Sequence, residues 1–117
     1  MTLPARLSLA GLALLLALPA RAEEGVTLFK VVGPRDEVTI GLTAAELARL
    51  GSGPGVERLA RALVAEGQIT AWRYAVGRAA DGSTRYAARD RVTILRQETL
   101  RIEPYRAALP VAPPPTE

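Results

Sequence analysis

PGVERLARALVAEGQITAWRYAV, residues 54–76, is the stretch whose reading decides the fold. Its first half has helical spacing. Val56, Leu59, Ala60, Leu63 and Val64 fall at i, i+3, i+4, i+7 and i+8, one face of a helix. Glu57 and Arg61 lie off that face and form a favourable i,i+4 pair. Pro54 suits the first helical position, and Gly67 suits a left-handed cap just past the end. From Gln68 the period changes to two, which places Trp72, Tyr74 and Val76 on one face of a strand. A helix that runs directly into a strand it can cover is the nucleus of a small α+β core. Under this reading Trp72, Tyr74 and Tyr86 pack against Leu59 and Leu63, the alternative being an aromatic binding face.

Upstream, residues 26–32 and 38–42 read as two strands around a turn at residues 33–37. Opposing Val32 to Val38 gives an apolar face of Leu28, Val32, Val38, Ile40 and Leu42, with Lys30 as its exception. Thr43-Ala44-Ala45-Glu46 has the form of a capping box and opens a short helix to Leu50. Gly51-Ser52-Gly53 ends it. An anion could sit at the following helix N-terminus, although the glycines serve a helix–helix connection equally well.

Downstream, a three-residue loop, Ala80-Asp81-Gly82 with Gly82 left-handed, pairs Ala79 with Ser83. Val76 then faces Tyr86, Tyr74 faces Ala88 and Trp72 faces Asp90, which aligns the apolar residues. On the other face Arg73 falls opposite Arg89, with Arg85 and Arg91 further along. Like charges directly opposed in a sheet are unfavourable, so this arginine face is a candidate for contact with an acidic partner. Residues 92–95 and 100–102 read as one more hairpin or one bent strand. The expected fold is α+β: a small antiparallel sheet of four to six strands with two helices packed on one face.

Both ends of the chain read differently from its middle. Arg6, the mostly apolar run Leu7–Leu18, Pro19 and Ala20-Arg21-Ala22 make the pattern of a secretory signal peptide over residues 1–22, cleaved between Ala22 and Glu23. A membrane span needs ~20 apolar residues, more than this run supplies. The division is thus 1–22 signal peptide, 23–106 a single α+β domain and 107–117 a Pro-rich disordered tail with Pro110, Pro113, Pro114 and Pro115. The start and the Arg- and Ala-rich composition point to a bacterial, exported, soluble protein, placed in the periplasm or else outside the cell.

Removing Arg6 and Arg21 with the signal lowers the net charge from +3 to +1, which gives no case for nucleic acid. The remainder is uneven. Residues 23–67 hold five basic and seven acidic groups, and residues 68–106 hold eight and four. Arginine suits carboxylate and phosphate recognition, although a coding bias toward arginine would give the same excess. The chain has no histidine and no cysteine, which removes the commonest base, metal ligand and thiol nucleophile together. No cofactor or metal is expected. Ser52, Ser83, Asp36-Glu37 and Asp81 read as turn chemistry.

The resulting expectation is a non-enzymatic accessory protein that docks on another exported or envelope protein with an acidic patch. Its candidate contact residues are Arg73, Arg85, Arg89 and Arg91, and the mature chain does not insert into the membrane. The alternatives are a binder of a small anionic ligand or envelope polymer, and an enzyme using carboxylate, Tyr and Arg residues alone.

Overall fold

The computed structural model describes residues 25–115, and the expected cleavage site at Ala22 and Glu23 lies outside them. The protein is α+β. The elements run β1 (Val26–Val32), β2 (Glu37–Thr43), α1 (Ala44–Arg49), α2 (Gly55–Glu66), β3 (Gln68–Arg78), β4 (Thr84–Leu95) and β5 (Arg101–Tyr105). The strands form one open antiparallel sheet in the order β4-β3-β2-β1-β5. No helix among the described residues is long and apolar enough to cross a membrane.

The helix boundaries follow from local chemistry. Thr43 caps α1: its hydroxyl accepts from Glu46 N–H at 3.1 Å, and Glu46 Oε1 accepts from Thr43 N–H at 2.9 Å. Pro54 is the N-cap of α2, so the helix begins at Gly55, one position later than the sequence suggests. Gly55 follows because a β-carbon there would come within 2.8 Å of Phe29 Cζ. Gly67 closes the helix at φ +81°, donating to Leu63 O.

Both helices lie on one face of the sheet. Leu59 (1% exposed) packs with Phe29, Val31, Ile40, Leu42, Ala71 and Ile94, and Leu47, Leu50 and Val56 border the same cluster. Leu63 is buried as its place on the stripe requires, whereas Val64 at its margin is 60% exposed.

The β1–β2 register differs from expectation by one residue. Gly33 N–H donates to Asp36 O at 2.8 Å, closing a four-residue loop, and Val32 pairs with Glu37. Phe29 therefore faces Ile40 and Val31 faces Val38, so these four form the helix-side face. Because side chains alternate, the slip moves Leu28, Lys30 and Val32 to the other side. There Lys30 finds Glu37 at 3.4 Å.

Residues 92–95 do not begin a further hairpin. They complete β4, and β5 pairs with β1 at the opposite edge. Five residues, 96–100, make that crossing. The crossing spans four strand spacings of about 4.8 Å, close to the reach of so short a segment. Leu100 N–H donates to Gln97 O, so the segment turns rather than extends, and the sheet curls to bring its edges together. At its other end the Tyr86 and Tyr105 hydroxyls, from the two edge strands, meet at 3.0 Å.

The second face is covered by the C-terminal segment, which was expected to be disordered. Tyr86 N–H donates to Pro110 O at 2.8 Å, and Ala112 N–H donates to Tyr86 O at 2.9 Å, a parallel bridge on the outer edge of β4. Proline has no N–H to give, and this bridge takes only a carbonyl from Pro110. The Tyr74 hydroxyl donates to Ala112 O at 2.9 Å. Trp72, Tyr74 and Tyr86 thus lie away from Leu59 and Leu63, contrary to expectation. Their side of the sheet holds Leu28 (2% exposed) and Tyr74 (3%) buried. The Tyr74 ring crosses Gly41 so closely that a β-carbon there would meet Cε1 at 2.5 Å.

Candidate functional site

The candidate arginines sit on the β3–β4 hairpin. Its turn forms as expected: Ala79 N–H donates to Ser83 O at 2.7 Å, and Gly82 takes φ +91°. Val76 then faces Tyr86 and Tyr74 faces Ala88. Beyond them the register shifts at a β-bulge, with Arg89 as the additional residue on β4.

The bulge rearranges the charges. Arg73 stands opposite Asp90, not Arg89. Arg73 Nε and an Nη atom donate to the two Asp90 carboxylate oxygens, each at 2.8 Å, a bidentate pair. This bond is the main cause that holds the Asp90 carboxyl below its usual range, with the charges of Arg73 and Arg89 adding to it. The same bond raises the Arg73 pKa. The expected repulsion is therefore absent, and Arg73 does not belong to a set of free cations.

The other three candidates are exposed on β4. Arg85 lies opposite Gly77 near the turn, and Arg89 occupies the bulge. Arg91 lies opposite Trp72, with its guanidinium 5.2 Å from the centre of the indole, a cation–π arrangement on the face away from the helices. The four arginines are thus not one face. Three ion pairs form among the described residues, Lys30–Glu37, Arg73–Asp90 and Arg101–Glu103, and none includes Arg85, Arg89 or Arg91.

Two further arginines hold the helices together. Arg58 donates to Gly53 O at 2.7 Å and to Leu47 O at 3.1 Å, and Arg61 donates to Ser52 O at 2.6 Å. They satisfy carbonyls in the connection that looked open to an anion.

The hydroxyl groups are engaged in structure. Ser83 Oγ donates to Asp81 Oδ1 at 2.7 Å, and Ser83 N–H donates to the same oxygen at 3.0 Å. These bonds lower the Asp81 pKa. Burial, reinforced by the charge of Glu46, pushes the Tyr74 hydroxyl up to about 12. The Tyr105 hydrogen bond, then burial, raises Tyr86. Both tyrosines stay neutral in ordinary conditions and serve as donors or apolar surface.

Two concavities flank these groups. One, of about 530 Å³, lies between β1, β5 and the C-terminal segment, lined by Val26, Leu28, Tyr105, Arg106 and Val111 among others. The second, of about 270 Å³, lies between α1 and the start of β3 and includes Arg49 and Arg91. Arg49 carries no signal in the sequence; it reads as a basic residue in the last turn of a helix, where any cation is favourable.

No known protein family, no curated protein and no solved structure matches this chain.

Proposed function

We propose that the protein is a small exported binding protein, without catalysis of its own, that docks on an acidic surface of another envelope or secreted protein through the arginines of β4. The observation that carries this reading is the exposure of Arg85, Arg89 and Arg91 on one strand with no carboxylate of the described residues in ion-pair contact. The strand rises about 3.3 Å per residue, so the three charges extend over roughly 20 Å. Guanidinium groups without an ion pair among the described residues are suited to bidentate contact with carboxylates of a partner.

Export is supported by the residues ahead of the sheet. The small-residue motif Ala20-Arg21-Ala22 stands directly before Glu23, and β1 begins at Val26. Cleavage before Glu23 would remove no residue of the sheet, and N-terminal sequencing of the exported protein should read Glu-Glu-Gly-Val. A product that begins at Met1 would sink the export reading.

The docking test is charge reversal. Arg85→Glu with Arg89→Glu should abolish in-situ cross-linking to the partner while the thermal midpoint stays within error of wild type. Binding should weaken steeply with salt, since exposed charges are screened over ~8–10 Å at physiological ionic strength. Arg35→Glu, in the β1–β2 turn, should bind normally. Arg73 and Arg58 are unsuitable for this purpose, because reversal at either would break contacts inside the protein. Normal cross-linking by the double variant would place the docking surface elsewhere.

A further inference from the structure

β2 leaves the sheet early. It pairs with β3 only through Ile40↔Arg73 and Gly41↔Trp72, and after Thr43 the chain turns into α1. The first residues of β3 therefore border a notch where a strand would otherwise continue. Arg96 N–H donates to Gly67 O at 3.0 Å, and the β3–β4 register continues from this pair. Antiparallel ladders alternate, so the backbone groups of Ile69 and Ala71 point toward β4 and those of Thr70 point away from it, into the notch. β2 supplies Thr70 no ladder partner.

The notch is the cavity of about 270 Å³. Leu42, Leu50, Leu59, Ile69 and Ala71 give it an apolar lining; Arg49 stands at it from α1, and Arg91 reaches its rim from β4 on the Trp72 side. Neither arginine forms an ion pair with the described residues. Among the described residues one carboxylate, Glu46, lines it; its Oε1 accepts from Thr43 N–H, and its charge stands beside the two guanidiniums. An apolar cavity with a few convergent polar groups is the usual form of a small-molecule site. Here those groups are two guanidiniums, the N–H and C=O of Thr70 and the Glu46 carboxylate, and the two cations outnumber the one anion, which favours an anionic ligand.

We propose that this notch binds a small monocarboxylate with an apolar body, its carboxylate held by Arg49, Arg91 and the Thr70 N–H and its body laid against Leu42, Leu50 and Ile69. The site is separate from the docking surface except at Arg91, so its test uses Arg49. Calorimetric titration at low salt with octanoate should show binding at least tenfold tighter than with octanol, which has the same apolar body and no charge. Arg49→Gln should weaken octanoate about tenfold, the loss of one charge-assisted contact, and leave octanol unchanged. In amide NMR spectra the Thr70 resonance should shift as octanoate is added. Arg85→Glu with Arg89→Glu should retain octanoate affinity whatever its effect on docking, so the two proposals fail separately. Equal affinity for octanoate and octanol, no effect of Arg49→Gln, or an unmoved Thr70 amide would each overturn the assignment.

Discussion

The two faces of the sheet are buried by different means. On one, α2 lays Leu59 and Leu63 down from a regular stripe, and the cover is made of side chains. On the other, an irregular segment of prolines and alanines crosses the tyrosines and is held by three hydrogen bonds, two to Tyr86 and one from Tyr74. The first cover removes a large apolar area from water and should dominate stability. The second contributes less, because hydrogen bonds exchanged with water return only a small net gain. A periodic element can thus be replaced by a few backbone contacts, at lower strength.

The sharpest contrast between the faces comes from deletion of a buried side chain. Leu59→Ala should cost ~2–5 kcal/mol in chemical denaturation. A loss below that of any change on the tyrosine face would mean that the helix is not the main cover.

Gly41→Ala probes the tyrosine face by crowding. The new β-carbon would meet the Tyr74 ring and, at 2.9 Å, Val26 Cγ1. Overpacking of this kind should cost ~1–3 kcal/mol. A neutral outcome would show that Tyr74 does not lie across Gly41.

Ending the chain after Ala107 removes the cover itself. It takes away the three hydrogen bonds and exposes the face that buries Leu28 and Tyr74, so stability should fall by about 1–2 kcal/mol. An unchanged midpoint would return the segment to the disordered tail that its composition suggests.

Tyr74→Phe removes one of those bonds and keeps the ring, so it should cost about 1 kcal/mol. It also tests the pH dependence. An unfolded tyrosine ionises near 10, whereas Tyr74 in the folded protein is pushed up to about 12, by burial first and by the charge of Glu46 second. Between these values the unfolded state has lost a proton that the folded state keeps. The contribution is therefore whole below about pH 10 and is lost as pH rises toward 12. Denaturation midpoints across that window should fall more steeply for wild type than for Tyr74→Phe. Parallel curves would show that Tyr74 is not buried as described.

Residues 43–67 were the most legible part of the chain. The capping box at Thr43, the stripe through Leu59 and Leu63 and the left-handed Gly67 are local patterns, and each is satisfied within a few residues of itself. The Ala79–Ser83 turn is legible for the same reason. The candidate site was harder to read. Arg85 appears opposite Gly77, where the alternation puts it, but a bulge left Arg89 without a ladder partner and exchanged the partner of Arg73 from a like charge to Asp90. An added residue in a ladder is a compromise between two strands, and neither strand alone announces it.

By itself, then, the sequence determined the helices, their caps, the tight hairpin turn and the α+β class, because the hydrogen bonds and periodicities involved close over short separations. Tertiary structure decided the β1–β2 register, the crossing of β5 to the far edge, the Arg73–Asp90 pair, the notch beside Thr70 and the segment over the tyrosines. Each of these depends on which distant backbone supplies a partner. A strand with apolar residues on both faces, such as Phe29 and Val31 beside Leu28, accepts either register until something covers each side.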